Sequence, residues 1–178
     1  DNVRRLPGRE DGHPLIVLAD EGWYWVIPLD ERKTSVGLVM DPDVAKSTGV
    51  PASRMLAWGL DRSPLMRERM ADATGEETNH VTADYSYRCR PYAGPGYFLL
   101  GDAAAFIDPI FSTGVCLGMM SAAKAAEQVQ AVLSAGKRPA AARRDYVRYV
   151  ENSTGVYFKL IRRYYEHSFR ELFLNGTG

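Results

Sequence analysis

The sequence predicts an α/β chain with α+β character, in which an antiparallel sheet and small helices precede a strand–turn–helix and a helical tail. Three observations predict it. Short β-suited runs alternate with turn residues up to Met40, helix-spaced apolar residues follow, and a compact apolar strand then leads through a glycine–acid turn into a long helix rich in small residues.

Residues 1–13 carry charge and glycine and read as a solvated lead-in. After Pro14, the run 15–19 suits a strand, and Asp20-Glu21-Gly22 supplies turn chemistry. The runs 23–28 and 34–40 are the next two strands, parted by the turn 29–32, so the three form a meander. Alternation places Trp23, Trp25 and Ile27 on one face and Tyr24 and Val26 on the other. Between Pro42 and Gly75 the spacing turns helical. Pro51 reads as an early helical residue, Met55, Leu56 and Leu60 recur at helical intervals, and Ser63-Pro64 reads as an N-cap followed by proline at the first position.

Residues 81–90 return to strand character, with Tyr85 and Tyr87 in alternation. A Gly/Pro break at 92–96 precedes Tyr97-Phe98-Leu99-Leu100, an apolar strand of the kind buried on both faces. Residues 101–105 leave that strand and 106–111 form an apolar loop. Ser112-Thr113-Gly114 opens a helix that runs to about Leu133 and is ended by Gly136. From Pro139, apolar and aromatic residues through Tyr146, Val150, Ile161, Tyr164, Phe169 and Phe173 predict one or two amphipathic helices with an Arg-rich outer face. The expected organisation is a partial sheet domain with small helices over 1–91, a strand–turn–helix over 92–135 and an aromatic helical tail over 136–178.

Composition bounds the function. A chain of 178 residues holds one domain or parts of two. With 46% hydrophobic and 25% charged residues it can bury a core, which excludes intrinsic disorder. Twenty-two basic residues balance 22 acidic ones, so no overall field draws nucleic acid or an anionic membrane. No apolar run approaches the roughly 18 residues of a membrane span. Cys89 and Cys116 make no disulfide framework, which points to a cytoplasmic location. His13, His80 and His167 are far apart, and with the cysteines they make no metal-binding spacing, so no metal is expected. The opening Asp-Asn-Val-Arg-Arg has neither a signal-peptide core nor an initiator Met, so the chain is expected to begin partway through a longer polypeptide.

The chemistry concentrates after residue 100. Asp102 alone among the aspartates directly follows a strand and a glycine. A carboxylate there can accept hydrogen bonds from sugar or polyol hydroxyls, and the downstream helix start offers unpaired N–H groups with partial positive charge. That combination suits a flavin, although an Asp in this place can also serve only its own turn. Two same-face tryptophans likewise pack a core in the ordinary case.

The longer string Gly101-Asp102-Ala-Ala-Ala-Phe-Ile-Asp108-Pro109-Ile-Phe111-Ser-Thr113-Gly114-Val115 resembles the second FAD-binding motif of the flavoprotein hydroxylase and halogenase superfamily. Trp23-x-Trp25-x-Ile27-Pro28 resembles the signature that separates flavin-dependent halogenases from related monooxygenases, and it precedes the flavin motif by about 80 residues, in the family's order. The chain is accordingly identified as similar to the C-terminal portion of a flavin-dependent halogenase. The resemblance implies a hydroxylase-like FAD-binding fold with a substrate-domain sheet. It implies FAD contacts at Gly101, Asp102, Pro109, Gly114 and Val115, with Asp102 on the ribityl chain, and chloride held at the backbone of Thr113 and Gly114. It gives Trp23 and Trp25 the task of hindering direct hydroxylation of substrate. The implied reaction is chlorination of an electron-rich aromatic by reduced FAD from a separate flavin reductase, oxygen and halide.

Phe111 stands where tryptophan halogenases have a catalytic Glu, so the resemblance is to the subgroup acting on phenols or pyrroles, often tethered to a carrier protein, rather than on free tryptophan. No Gly-x-Gly-x-x-Gly follows a strand, so the dinucleotide fingerprint and the active-site lysine are expected upstream of Asp1, and the fragment is expected to be inactive alone. A hydroxylase or isoprenoid reductase of the same superfamily, and a noncatalytic module with a relic motif, are the alternatives. Arg143, Arg144, Arg148, Arg162, Arg163 and Arg170 read as a solvated helix face, or else as a docking surface for an acidic carrier.

Overall fold

The computed structural model describes residues 1–75 and 79–165. The expectations placed on His167, Phe169, Arg170 and Phe173 lie outside the described residues. The chain divides into two compact units, Asp1–Ala83 and Asp84–Gly178. Among the described residues no helix is long and apolar enough to cross a membrane.

The first unit is built on the expected meander. Strands β1 (Leu15–Ala19), β2 (Gly22–Pro28) and β3 (Thr34–Met40) pair antiparallel in that order. In register, Val17 faces Tyr24 and Tyr24 faces Leu38, while Ile16, Trp25 and Gly37 line up one pair further along. The Asp30 carboxylate accepts the N–H groups of Arg32 and Lys33, both at 2.8 Å, and so closes the β2–β3 turn. Those two amides hold its pKa below the usual carboxylate value.

Helices α1 (Pro42–Ser47), α2 (Ala52–Arg62) and α3 (Pro64–Met70) follow. Ser63 caps α3 as expected, its hydroxyl accepting the Met66 N–H, with Pro64 in the first turn. Pro51 sits one step outside α2, as its N-cap with an extended ψ of 141°. The core forms on the Tyr24 face. Tyr24, with no exposed surface, packs with Val3, Val17, Val26 and Met66. Residues 1–13 are therefore not wholly a solvated lead-in. Val3 enters the core, and the Arg4 N–H donates to the Arg69 carbonyl at 2.8 Å, because the sheet face needs cover beyond α3.

In the second unit most of the predicted strand 81–90 does not form. Only β4 (Tyr87–Arg88) pairs, antiparallel, with β7 (Ala105–Phe106). The run 97–100 also differs from expectation. Only Tyr97–Phe98 (β6) is strand, paired antiparallel with Ala93–Gly94 (β5), and Tyr97 is 41% exposed. A short hairpin satisfies this backbone, so an apolar run that reads as a doubly covered strand is covered on one side only.

Helix α4 (Gly114–Ala135) ends where predicted, on Gly136 at φ 65°, and α5 (Pro139–Tyr164) is one continuous helix. Ala142, Tyr146, Val150, Thr154 and Ile161 give α5 its buried stripe. Tyr146 is the hub. Its ring meets Phe98 edge-on at 4.9 Å, its hydroxyl donates to the Leu99 carbonyl, and it packs with Tyr92, Ala93, Ala104, Ala125 and Val150. Buried Gln128 accepts a hydrogen bond from Lys137, which also pairs with Asp145 at 2.8 Å, fastening the α4–α5 turn.

Candidate functional site

Gly101, Asp102, Pro109, Thr113, Gly114 and Val115 lie on one continuous strand–loop–helix of the second unit. Residues Gly101–Ala103 and Pro109–Phe111 form single 3-10 turns, β7 lies between them, and α4 begins at Gly114. Gly101 has φ +50°, and a Cβ built on it would stand 3.2 Å from the Gly118 Cα. Two backbones therefore cross here with no side chain between them, which is what the small-residue face of α4 permits. Ser121 fixes the crossing by accepting the Gly101 N–H at 3.2 Å and donating to the Gly118 carbonyl at 2.9 Å.

This crossing carries Asp102 to the start of α4, where its Oδ1 lies 3.9 Å from the Cβ position of Gly114. The Asp102 carbonyl accepts the Tyr87 hydroxyl at 2.9 Å, which anchors the backbone and leaves the exposed carboxylate available as an acceptor. The helix start is equally open. Thr113 is the N-cap residue, its side chain caps nothing, and the first turn holds no acidic residue. Its hydroxyl does not take the role that usually satisfies these N–H groups, so the amides of the first turn remain donors beside a positive dipole end. Val115 and Met119, one turn apart, are 77% and 69% exposed and extend an apolar face from that point. A free carboxylate acceptor, open amides and an apolar strip match a ligand with hydroxyls at one end and a flat ring with anionic character at the other. These residues fit a reduced flavin.

The intervening loop is held by Asp108, a role the sequence reading did not assign. Its carboxylate caps the 3-10 turn by accepting the Ile110 N–H at 2.9 Å, and it also accepts the hydroxyl of Tyr165 at 2.8 Å. Burial is the largest influence and pushes its pKa above the ordinary value, against three hydrogen bonds, one of them from Tyr85. Tyr85 is itself pushed up to about 12, by burial first and by Asp108 second. The signal was present in the sequence as Asp-Pro, a turn-opening pair. Its partners Tyr85 and Tyr165 lie 23 and 57 residues away in the chain, and no local pattern links them.

Trp23 and Trp25 belong to the first unit. Their rings lie 6.1 Å apart at 59°, on the face predicted. Trp23 is 2% exposed. Trp25 donates from its indole N–H to the Ser35 hydroxyl at 3.1 Å and occupies the space beside Gly37, where any side chain would collide with its ring. Trp25 is thus oriented by β3, a contribution the Trp-x-Trp spacing did not disclose.

Comparison with known proteins bears on all of this. The tryptophan halogenase family profile matches residues 16–172. A tryptophan 2-halogenase of Chondromyces crocatus is 37% identical over 84% of this chain and 29% of its own length. A 1H-pyrrole-2-carbonyl-[peptidyl-carrier protein] brominase of Pseudoalteromonas luteoviolacea is 31% identical over 80% of this chain and 36% of its own. Among solved structures, the myxobacterial chondrochloren halogenase CndH, described as FAD-dependent, superposes with TM-score 0.79 at 30% identity, over 93% of this chain and 39% of that one. The flavin-dependent brominase Bmp2 superposes with TM-score 0.81 at 28% identity, over 98% and 44%. The chain spans about a third of the length of these curated relatives.

Proposed function

The chain belongs to the tryptophan halogenase family, and we propose that it forms the part of a flavin-dependent halogenase that holds the flavin edge and the halide. The observation that carries this reading is the uncapped start of α4 with the Asp102 carboxylate beside it. FAD, when bound and reduced, supplies with oxygen the oxidising power that turns halide into an electrophile. The residues of this chain bind and orient. Asp102 accepts hydrogen bonds from the ribityl hydroxyls, and Gly101 lets the loop approach α4. The amides of Gly114 and Val115, with the dipole of α4 behind them, stabilise negative charge on the reduced ring and hold a halide at Thr113 and Gly114. Pro109 sets the turn between these two groups. For Trp23 and Trp25 the supporting observations are the family signature and their tilted contact on one sheet face, which suits a barrier to direct hydroxylation.

The substrate class is an electron-rich aromatic or pyrrole ring, free or tethered to a carrier protein. Phe111, in place of a catalytic carboxylate, supports the phenol and pyrrole side of that class, and the carrier-linked brominase relative supports tethering. The tryptophan 2-halogenase relative keeps an indole among the substrates to assay. A flavin reductase is the partner that delivers reduced cofactor, and chloride is the proposed halide.

The test uses the full-length protein. A Cβ at Gly114 meets nothing nearer than 3.9 Å, so the first side-chain carbon has room there, and Gly114→Val adds bulk in front of the amides. It is expected to lower halogenated product about 100-fold or more, the cost of losing an oxyanion-type donor, while flavin binding persists. Product mass spectra with chloride and with bromide decide the halide. Halogenation at the wild-type rate in Gly114→Val defeats the reading.

A further inference from the structure

The loop that carries the open amides is tied to the far end of α5. Asp108 precedes Pro109, whose fixed φ and missing N–H start the tight turn, and one carboxylate oxygen accepts the Ile110 N–H at 2.9 Å. The other oxygen accepts the Tyr165 hydroxyl at 2.8 Å, 57 residues further along the chain. The preceding residue, Tyr164, sets its ring edge-on against Phe111 at 5.7 Å and 77°. Consecutive tyrosines thus grip the first and last parts of the Pro109–Phe111 turn, one by hydrogen bond and one by ring packing. Beneath the turn, Ile110 is buried, and the Ser86 hydroxyl donates to the Ile107 carbonyl just before it.

What this grip holds is not a relaxed turn. Ser112 follows it at φ 50°, ψ 32°, a left-handed conformation that a serine adopts only when its surroundings impose it. Thr113 and the first amide of α4 come next, so the direction of those N–H groups is set by how firmly residues 108–111 are placed. Burial also weighs on Asp108. A half-buried carboxylate with its pKa raised depends on its donors, and removing one is felt by the whole turn.

We propose that the C-terminal end of α5 is a positioning element for the halide loop, with Asp108 as its receiving residue. Tyr165 acts through Asp108, and Tyr164 through Phe111, to keep Ser112–Gly114 in the conformation that presents the amides to the anion. The proposal rests on the reading of the α4 start as the halide site. It adds that halide affinity is governed from a helix end outside the residues assigned to halide and flavin.

The experiment compares Asp108→Ala, Asp108→Asn and Tyr165→Phe in the full-length enzyme, well below its Tm. Asp108→Ala is expected to raise the halide KM about tenfold, the effect of losing one charge-assisted hydrogen bond network, with flavin Kd and kcat at saturating halide near wild type. Asp108→Asn keeps an acceptor for Ile110 and lies between wild type and Asp108→Ala. Tyr165→Phe raises the halide KM by about threefold, and adds little in the Asp108→Ala background because both act on one contact. A group that merely stabilised the fold would lower Tm and leave the halide KM alone. Unchanged halide KM in Tyr165→Phe and Asp108→Ala overturns the proposal, as does full additivity of the pair. Should Asp108→Ala not fold, Tyr165→Phe, which removes a single exposed hydroxyl, decides alone. Gly114→Val separates the two readings. If it leaves halide-dependent turnover intact, the halide site is wrong; if it abolishes turnover while Asp108 and Tyr165 variants keep the wild-type halide KM, only the positioning role fails.

Discussion

The two units hold themselves together by different means. In the first, a three-stranded sheet with five- and seven-residue ladders is covered by helices around Tyr24, so backbone pairing and apolar burial set the geometry. In the second, every ladder among the described residues is two residues long, and shape comes from the α4–α5 pair and from side chains bonded to backbone: Tyr146 with Leu99, Tyr87 with Asp102, Ser121 with Gly101. A loop proposed to present bare amides cannot use those amides for its own ladder. Its position is instead maintained by hydroxyls and one carboxylate. The comparison teaches that substitutions in the Tyr24 core act on stability, whereas equally small ones around the α4 start act on the proposed site.

Tyr24→Ala gives the largest break. It empties a fully buried ring site at the centre of the first core, and loss of about 3–5 kcal/mol is expected in denaturant unfolding of the full-length protein. Flavin binding in whatever fraction remains folded should be unaltered, since the ring contributes packing and its hydroxyl has no hydrogen-bond partner among the described residues. If flavin affinity fell in proportion, the division of labour between the units would be wrong.

Gly101→Ala is smaller in energy and sharper in function. The left-handed φ and the 3.2 Å approach to Gly118 together cost about 1–2 kcal/mol. The displaced crossing moves Asp102 from the α4 start, so flavin affinity should drop more than stability does, measured by flavin titration beside thermal unfolding. Equal affinity in the variant would detach the crossing from the site.

The finest contrast is in acid. Glu21 has its pKa lowered, first by the hydrogen bond from Arg62, so its contribution to stability is present above the unfolded pKa and is lost as pH falls through the folded value. Asp108 has its pKa raised by burial, so its contribution is fully present below the unfolded pKa and is lost as pH rises through the folded value. Acidification therefore weakens the first unit through Glu21 and strengthens the second through Asp108. Thermal unfolding between about pH 3 and 7 should show a flatter acid-side decline in Glu21→Gln and a steeper one in Asp108→Asn. Arg62 is largely exposed, so solvent screening keeps the Glu21 effect small.

Much of the fold was legible from residue spacing alone, because the signals were local. Alternation and Asp-Glu-Gly turn chemistry suffice for the meander, Ser63-Pro64 for the start of α3, and Gly136 for the end of α4. The strands read into 81–90 and 97–100 went astray for the opposite reason. Tyrosine alternation and an apolar run report a suitable surface, while pairing depends on which backbone arrives beside it, and here the partners are short. The proposed site divides in the same way. Asp102, Thr113 and Gly114 follow from a continuous motif in the chain. Gly37 beneath Trp25, the crossing at Gly118, and Tyr165 on Asp108 join positions between 12 and 57 residues apart, and only folding brings them into contact. The order of residues determined what chemistry this protein carries, since acceptors, small residues and helix starts are properties of short stretches. Where those groups point was decided by tertiary structure, because direction depends on hydrogen bonds and ring contacts between segments that carry no mark of each other.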